Sequence, residues 1–305
     1  RAPPTAAASS ANARSAATTG LLDGRGAAWA GAPPAPLAPP RPSLPPLGAR
    51  GERRGAPPAE LGGIPVVAVG SHDTASAIVA VPLSTRNAAY VSCGTWGLVG
   101  LELHEPIVTD AARAANFTNE GGVDGRVRFL RNVTGLWLLS ETVRAWEEED
   151  GTAIDLPLLL AAAAEVAPPT HLFDTDDTTL AAPGDMPGRI AAVRGVGRPG
   201  RTERPTFVRT IVESIAAAFA RTVHTAAALA ERDVDVIHLV GGGARNALLG
   251  QTTADRAGVP VLARPVEATA LGNVPVQARA LGCFGADASL EDLPARPALP
   301  LPPLR

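Results

Sequence analysis

Five apolar residues set four apart, Phe207, Ile211, Ile215, Phe219 and Val223, are followed closely by the β-branched run VDVIHLV at 234–240. The first spacing lays one apolar stripe along a helix, and the second suits a short buried strand. The change of period repeats. After VDVIHLV come GGGARN (241–246), a helical pattern to about Ala257, a strand at VPVL (259–262) and a helical pattern in EATALGNVPVQARALG (267–282). Upstream, the pattern predicts a strand at 66–69, a turn and a helix from Asp73 to about Val81. AAYVSC and GLVGLEL flank Gly94 and Thr95 as a hairpin, and Val133, Leu136, Trp137, Val143 and Trp146 mark a helix over Leu130 to Glu148. Strands alternating with helices specify an α/β domain, with helices on the faces of a sheet. No internal repeat of fixed period is evident.

This patterning occupies residues 61–293. Residues 31–60 hold ten prolines and no hydrophobic periodicity, so they read as disordered or extended linker, and the tail from Pro294 (PARPALPLPPLR) reads the same way. With 305 residues, 46% of them hydrophobic, the chain can bury a large core, and a single Tyr leaves aliphatic side chains and Ala to build it. The longest apolar run, LPLLLAAAAEVAPP, is ended by Glu165 and Pro168 well short of a membrane span. Residues 1–22 carry Ser, Ala and Arg without acid, as transit peptides do, although a chain that starts at Arg1 reads more simply as a fragment.

All 27 basic residues are Arg. Without lysine there is no phosphate loop ending Gly-Lys-Ser/Thr, no strand lysine of the protein-kinase type and no Schiff base. A net charge of −3 with no Arg-rich face argues against a nucleic-acid partner. Cys93 and Cys283 are far apart and no Cys or His pair has zinc spacing, so neither a disulfide framework nor a metal site is indicated, and a reducing, cytoplasmic compartment fits best.

Three stretches could carry chemistry. Gly241, Gly242 and Gly243 leave a strand and open a helix, where bare backbone and free N–H groups can meet a nucleotide or, as commonly, only make a tight turn. Asn246 stands near the place of a third dinucleotide-fingerprint glycine. Thr95, in SCGTWGLVG, sits in a Gly-bounded turn that can offer amides and a hydroxyl to a phosphate, or be a plain hairpin. In VGSHDTAS, Asp73 follows a strand and starts a helix: it is a cap for that helix or a general base at a strand end, with His72 beside it. Glu120 in NFTNEGG is a weaker candidate for a metal-bound water, a solvated turn being the ordinary reading, and Glu147 to Asp150 read as a solvated helix end.

VGSHDTASAIVAVP, YVSCGTWGLVGLE, NFTNEGG, FLRNVTGLWLL and GGGARNALLGQTTADRAGVPVLARPVEATALGN follow one another as in the FGGY carbohydrate kinases, and most resemble the rhamnulokinase branch. The resemblance covers about residues 61–293 and implies the second of two actin-like, ribonuclease H-type domains. NARSAATTGLLDGRGAAWA (12–30) resembles the end of the first domain, most of which is missing as a partner. Beyond it the family pattern dissolves into the Pro and Arg run, as a shifted reading frame in a GC-rich gene would produce.

The resemblance further implies transfer of the ATP γ-phosphoryl group to a sugar hydroxyl, O1 of L-rhamnulose in that branch, with Mg2+. Asp73 resembles the carboxylate that accepts the hydroxyl proton. His72, Thr74 and Asn132 resemble sugar-site residues, Thr95 the residue that meets the nucleotide phosphates, and Gly241 to Gly243 the adenosine-side turn. Ser140 replaces a Gln that can touch ATP, and Pro275 removes a backbone donor and should kink its helix, at a cost of about 3 kcal/mol if that helix is continuous. The alternatives are a non-catalytic nucleotide-binding remnant and an NAD-dependent oxidoreductase, the latter opposed by the late position of the Gly-rich turn and its missing third glycine.

Overall fold

The computed structural model describes residues 11–12, 16–23, 28–30, 46–48, 62, 66–70, 72–81, 87–263, 267–284 and 288–289. The expected linker at 31–60, apart from 46–48, and the whole tail from 294 lie outside the described residues. The main strands are β1 (Ala88–Cys93), β2 (Trp96–Leu103), β3 (Thr118–Gly121), β4 (Val127–Thr134), β5 (Val236–Val240) and β6 (Val261–Ala263). The main helices are α1 (Asp73–Val79), α2 (Asp110–Ala114), α3 (Trp137–Asp150), α4 (Leu156–Ala164), α5 (Met186–Arg194), α6 (Arg204–Ala230), α7 (Ala247–Ala257) and α8 (Ala268–Ala280). The sheet runs in the order β6-β5-β1-β2-β4-β3, with β6, β5 and β1 parallel and β1–β2 and β3–β4 antiparallel. The mixed α/β class read from the sequence is therefore the class of the fold.

Two units divide these elements. The first, residues 87–101 and 131–266, holds the glycine-rich turn. Here α6 buries Phe207, Ile211, Ile215, Phe219 and Val223, the stripe that the sequence displays. Each such side chain contributes about 1.5–3 kcal/mol when fully removed from water. Thr210, Ser214 and Thr222 are buried on the same helix with satisfied hydroxyls, which donate to the carbonyls of Thr206, Thr210 and Ala218 at 2.8–3.0 Å. Helices α4 and α7 pack against α6. The acidic run 147–150 is more engaged than a solvated helix end: Glu147 accepts from the Ile154 amide, and Asp150 accepts from Arg201 and Arg204. Arg204 also lies 4.8 Å over the buried Trp146 ring.

Two sequence expectations fail locally. The helix placed over Leu130 to Glu148 is strand β4 as far as Thr134, and the helix begins only at Trp137. Pairing with β3 in the register Thr118↔Leu130 and stacking of Phe129 on Phe117, centroids 4.7 Å apart, override the helical spacing of Val133 and Leu136. At 66–69 a single bridge residue, Val67, replaces the expected strand.

The second unit gathers residues 1–86, 102–130 and 267–297. In it α1 packs on α8 so closely that a Cβ added at Gly272 would lie 1.7 Å from the Ser76 carbonyl oxygen. Helix α8 is continuous through Pro275, so the cost of the missing donor stays in the fold. Glu120 is not in a solvated turn. It lies on β3 and pairs at 2.8 Å with Arg128, which is wholly buried, so its carboxylate is committed to that charge rather than to a metal-bound water.

Candidate functional site

In the first unit, three segments converge on one tip of the sheet. Strand β1 ends at Cys93 and the hairpin turns through Gly94 and Thr95, closed by the Gly94 amide donating to the Trp96 carbonyl at 2.9 Å. The entry to α3 lies against this turn. The Leu136 and Trp137 amides donate to the carbonyls of Gly94 and Thr95 at 3.0 and 3.1 Å, and a Cβ on Gly135 would come within 3.0 Å of Trp96, Gly97 and Gly94 backbone atoms. From the other side comes the turn after β5. Gly241 has φ 80° and ψ −166°, a conformation essentially closed to residues with a Cβ. Its Cβ would sit 2.8 Å from the Cys93 carbonyl oxygen, and that of Gly243 2.6 Å from the Cys93 side chain.

Gly242 is different. It is exposed, and a Cβ there would meet nothing within 4 Å. Two of the three glycines are thus required by packing, and the third leaves backbone open to a ligand. The glycines do not open α7 directly, as the sequence suggested: a 3-10 turn over Gly242–Arg245 intervenes, and Asn246 caps α7 by accepting the Leu249 amide at 3.0 Å. Asn246 is only 7% exposed and its Nδ2 has no hydrogen-bond partner among the described residues. A buried amide donor left unsatisfied costs about 1–3 kcal/mol, so this residue is a candidate ligand group that the sequence showed only as a failed fingerprint glycine. Its signal was its position immediately before α7, where an Asn caps a helix.

Around this tip the Thr95 hydroxyl is exposed and makes no hydrogen bond among the described residues, and the same holds for the side chains of Asn132, on β4, and Ser140, on α3. The Cys93 thiol is buried, free and pushed up to about 12 by that burial, so it is a packing group rather than a nucleophile.

His72, Asp73 and Thr74 belong to the second unit, at the start of α1. The Thr74 amide lies 2.6 Å from Asp73 Oδ1 and 3.3 Å from His72 Nδ1, while Nδ1 lies 2.9 Å from Asp73 Oδ1. One ring nitrogen cannot accept and donate at once, and the shorter contacts decide: the Thr74 amide and His72 Nδ1–H both donate to Asp73 Oδ1. The Thr74 hydroxyl adds a weaker bond at 3.3 Å. Chiefly through the hydrogen bond from His72, and against the opposing effect of partial burial, the Asp73 carboxyl is held down to about 2. Its side chain is nevertheless 78% exposed, and Oδ2 accepts no hydrogen bond among the described residues. Of the two sequence readings of Asp73, the capping one is seen in Oδ1, which accepts the Thr74 amide at the helix start, while Oδ2 faces outward as an ionised acceptor. Among the described residues no group of three or more His, Cys, Asp or Glu is placed to hold a metal ion, and no helix is long and apolar enough to cross a membrane.

Residues 89–281 match the family model for the C-terminal domain of the FGGY carbohydrate kinases. Rhamnulokinase of Bacteroides thetaiotaomicron is 44% identical over 223 residues, which are 73% of this chain and 45% of that protein. Rhamnulokinase of Klebsiella pneumoniae strain 342 is 44% identical over 215 residues, 70% of this chain and 43% of that protein. The chain therefore spans less than half the length of these relatives. Among solved structures, a ligand-bound xylulose kinase from Lactobacillus acidophilus superposes with a TM-score of 0.65 at 17% identity, covering 92% of this chain and 57% of that one. A glycerol kinase with ADP from Plasmodium falciparum gives 0.62 at 15% identity, covering 89% and 54%. At such identities the structural likeness shows the fold alone.

Proposed function

The chain belongs to the FGGY family of carbohydrate kinases, and from that premise we propose that it is the nucleotide-holding half of a rhamnulokinase-type enzyme, which moves the ATP γ-phosphoryl group to O1 of L-rhamnulose. The observation that carries this is the glycine turn. Gly241 and Gly243 press the backbone against Cys93 while Gly242 stays open, beside the unpartnered Asn246 Nδ2 and within the unit that exposes the Thr95 hydroxyl. Bare backbone, a buried amide donor and the N-terminus of α7 suit the polar edges of a nucleotide, and the Thr95 turn suits its phosphates.

Asp73 acts in this reading as the acceptor of the sugar hydroxyl proton. A carboxylate held near 2 is a weak base, and that is compatible with phosphoryl transfer, where positioning and charge neutralisation supply most of the catalysis and the proton leaves late. His72 holds Oδ1, so the outward Oδ2 is the oxygen that meets the sugar. By the family resemblance Thr74 is read as a sugar contact of the second unit and Asn132 as one of the first, and Ser140 as a nucleotide contact. Magnesium belongs to the substrate as Mg-ATP, carried mainly by the phosphates. Residues 12–30 are read as the end of the amino-terminal kinase domain, and 61–293 as the carboxyl-terminal domain, of a protein acting in the cytoplasm on rhamnose-derived sugar. Because that first domain supplies much of the sugar site, the chain alone binds nucleotide but turns over little or no sugar.

Calorimetric titration of the chain with Mg-ATP, NAD and L-rhamnulose tests the reading. Saturable binding of Mg-ATP without binding of NAD or sugar is expected. A folded chain that gives no heat with Mg-ATP, or that prefers NAD, contradicts it.

A further inference from the structure

The segment from Phe173 to Leu180 has no part in the activity as described, yet it is tied to the entry of α3 at two points, Asp176 and Leu180. Asp176 Oδ1 accepts from the Thr134 amide at 3.0 Å and from the Thr134 hydroxyl at 3.2 Å, and Oδ2 accepts from Arg131 Nη2 at 2.8 Å. Four residues further on, the Leu180 carbonyl accepts from Trp137 Nε1 at 3.2 Å. Between those two ties lie Gly135, pressed on the hairpin tip, and the amides of Leu136 and Trp137, which donate to the Gly94 and Thr95 carbonyls. The segment is itself anchored. Phe173, Thr175 and Leu180 are buried, and the Phe173 amide donates to Ser214 Oγ on α6 at 3.3 Å.

We infer that Asp176 and Trp137 are positioning residues for the Thr95 turn: through Thr134 and the α3 entry, they fix that turn against the rigid core helix α6. The inference rests on the nucleotide reading only for its purpose, which is to hold the Thr95 hydroxyl and the turn amides where phosphate oxygens arrive. The turn's flanks are fixed by the Cys93–Gly97 ladder pair and by Gly97 lying against Phe219 of α6, but its own Gly94 and Thr95 carbonyls accept backbone amides only from 136 and 137, so those two amides set the local placement of the turn. A surface-loop role for 173–180 would require neither the paired acceptor bonds of Asp176 to Thr134 nor the buried anchors.

The test uses Asp176→Ala, Asp176→Asn and Trp137→Phe in the full chain, with hydrogen exchange of the unliganded protein and Mg-ATP titration as readouts. Asparagine retains an oxygen for the Thr134 donors but loses the Arg131 ion pair. In Asp176→Ala, amides of 94–97 and 135–137 are expected to exchange at least about tenfold faster while α6 is unchanged, and Mg-ATP affinity to fall about tenfold, a free-energy change of about 1.4 kcal/mol. Asp176→Asn restores most of both, and Trp137→Phe gives a smaller loss at the same amides. Unchanged exchange at 94–97 in a folded Asp176→Ala protein overturns the inference, and so does acceleration spread evenly over α6. If Asp176→Ala does not fold, the same two criteria are applied to Trp137→Phe. Altered exchange in a chain that binds no Mg-ATP upholds the positioning role and refutes the nucleotide reading, so the two failures are distinguishable.

Discussion

The glycine turn and the Asp73 helix start are both candidate reactive ends of the fold, and they are built on opposite terms. At 241–243 geometry dictates the residue type: Gly241 has a backbone conformation that excludes a Cβ, and Gly243 lies against the Cys93 side chain. At 72–74 geometry dictates little. Asp73 is mostly exposed, offers Oδ1 to the Thr74 amide and to His72 Nδ1–H, and leaves Oδ2 unused among the described residues. Packing alone can therefore account for Gly241 and Gly243, whereas the outward Oδ2 of Asp73 has no packing task among the described residues.

Substitutions can break or sharpen that contrast. The largest effect is expected from Gly241→Ala, which combines backbone strain with the 2.8 Å approach to the Cys93 carbonyl oxygen. A loss of about 3 kcal/mol, or about 6–12 °C in melting temperature for a domain of this size, should appear in thermal melts. Pro275→Ala should act in the opposite direction by about 1–3 kcal/mol, because α8 already runs through the position and regains a donor; a lower melting temperature would mean that the proline relieves a strain not visible in α8. Gly242→Ala should leave stability within about 0.5 kcal/mol, since its Cβ meets nothing, yet should weaken Mg-ATP binding about tenfold in calorimetry. Equal affinity would leave Gly242 with no part in nucleotide binding and the motif with only the packing tasks of Gly241 and Gly243.

Asp73→Asn should give the smallest change in stability. The folded carboxyl lies below its ordinary value, so its contribution is present above about pH 4 and is lost as the pH falls toward 2. Melts of the variant and the parent between pH 5 and 8 should then run parallel, with a gap of under about 0.5 kcal/mol for so exposed a group. A gap that opens within that range would show that another group titrates with Asp73.

The contrast also explains what the sequence made legible. Period-four spacing on α6 and the Gly94–Thr95 hairpin were readable because local pattern and tertiary burial agree there. Strand β4 was not, since Val133, Leu136 and Trp137 fall at helical spacing by accident and only pairing with β3 reveals Phe129 and Leu130 as strand residues. Glu120 looked free because its partner, Arg128, lies eight residues away and is brought opposite only by the β3–β4 hairpin. Gly241 to Gly243 and Thr95 were legible as turn residues, whereas the separate tasks of the three glycines and the unpartnered Asn246 Nδ2 depend on distances to Cys93 and on burial that no spacing encodes.

The central claim, that the turn after β5 and the Thr95 hairpin together hold a nucleotide, is tested most directly by hydrogen exchange of the chain with and without saturating Mg-ATP. The account predicts slowed exchange in peptides covering 94–97 and 241–249, with α6 unaffected. Protection confined to other segments, or none at all under conditions where calorimetry shows binding, would contradict it.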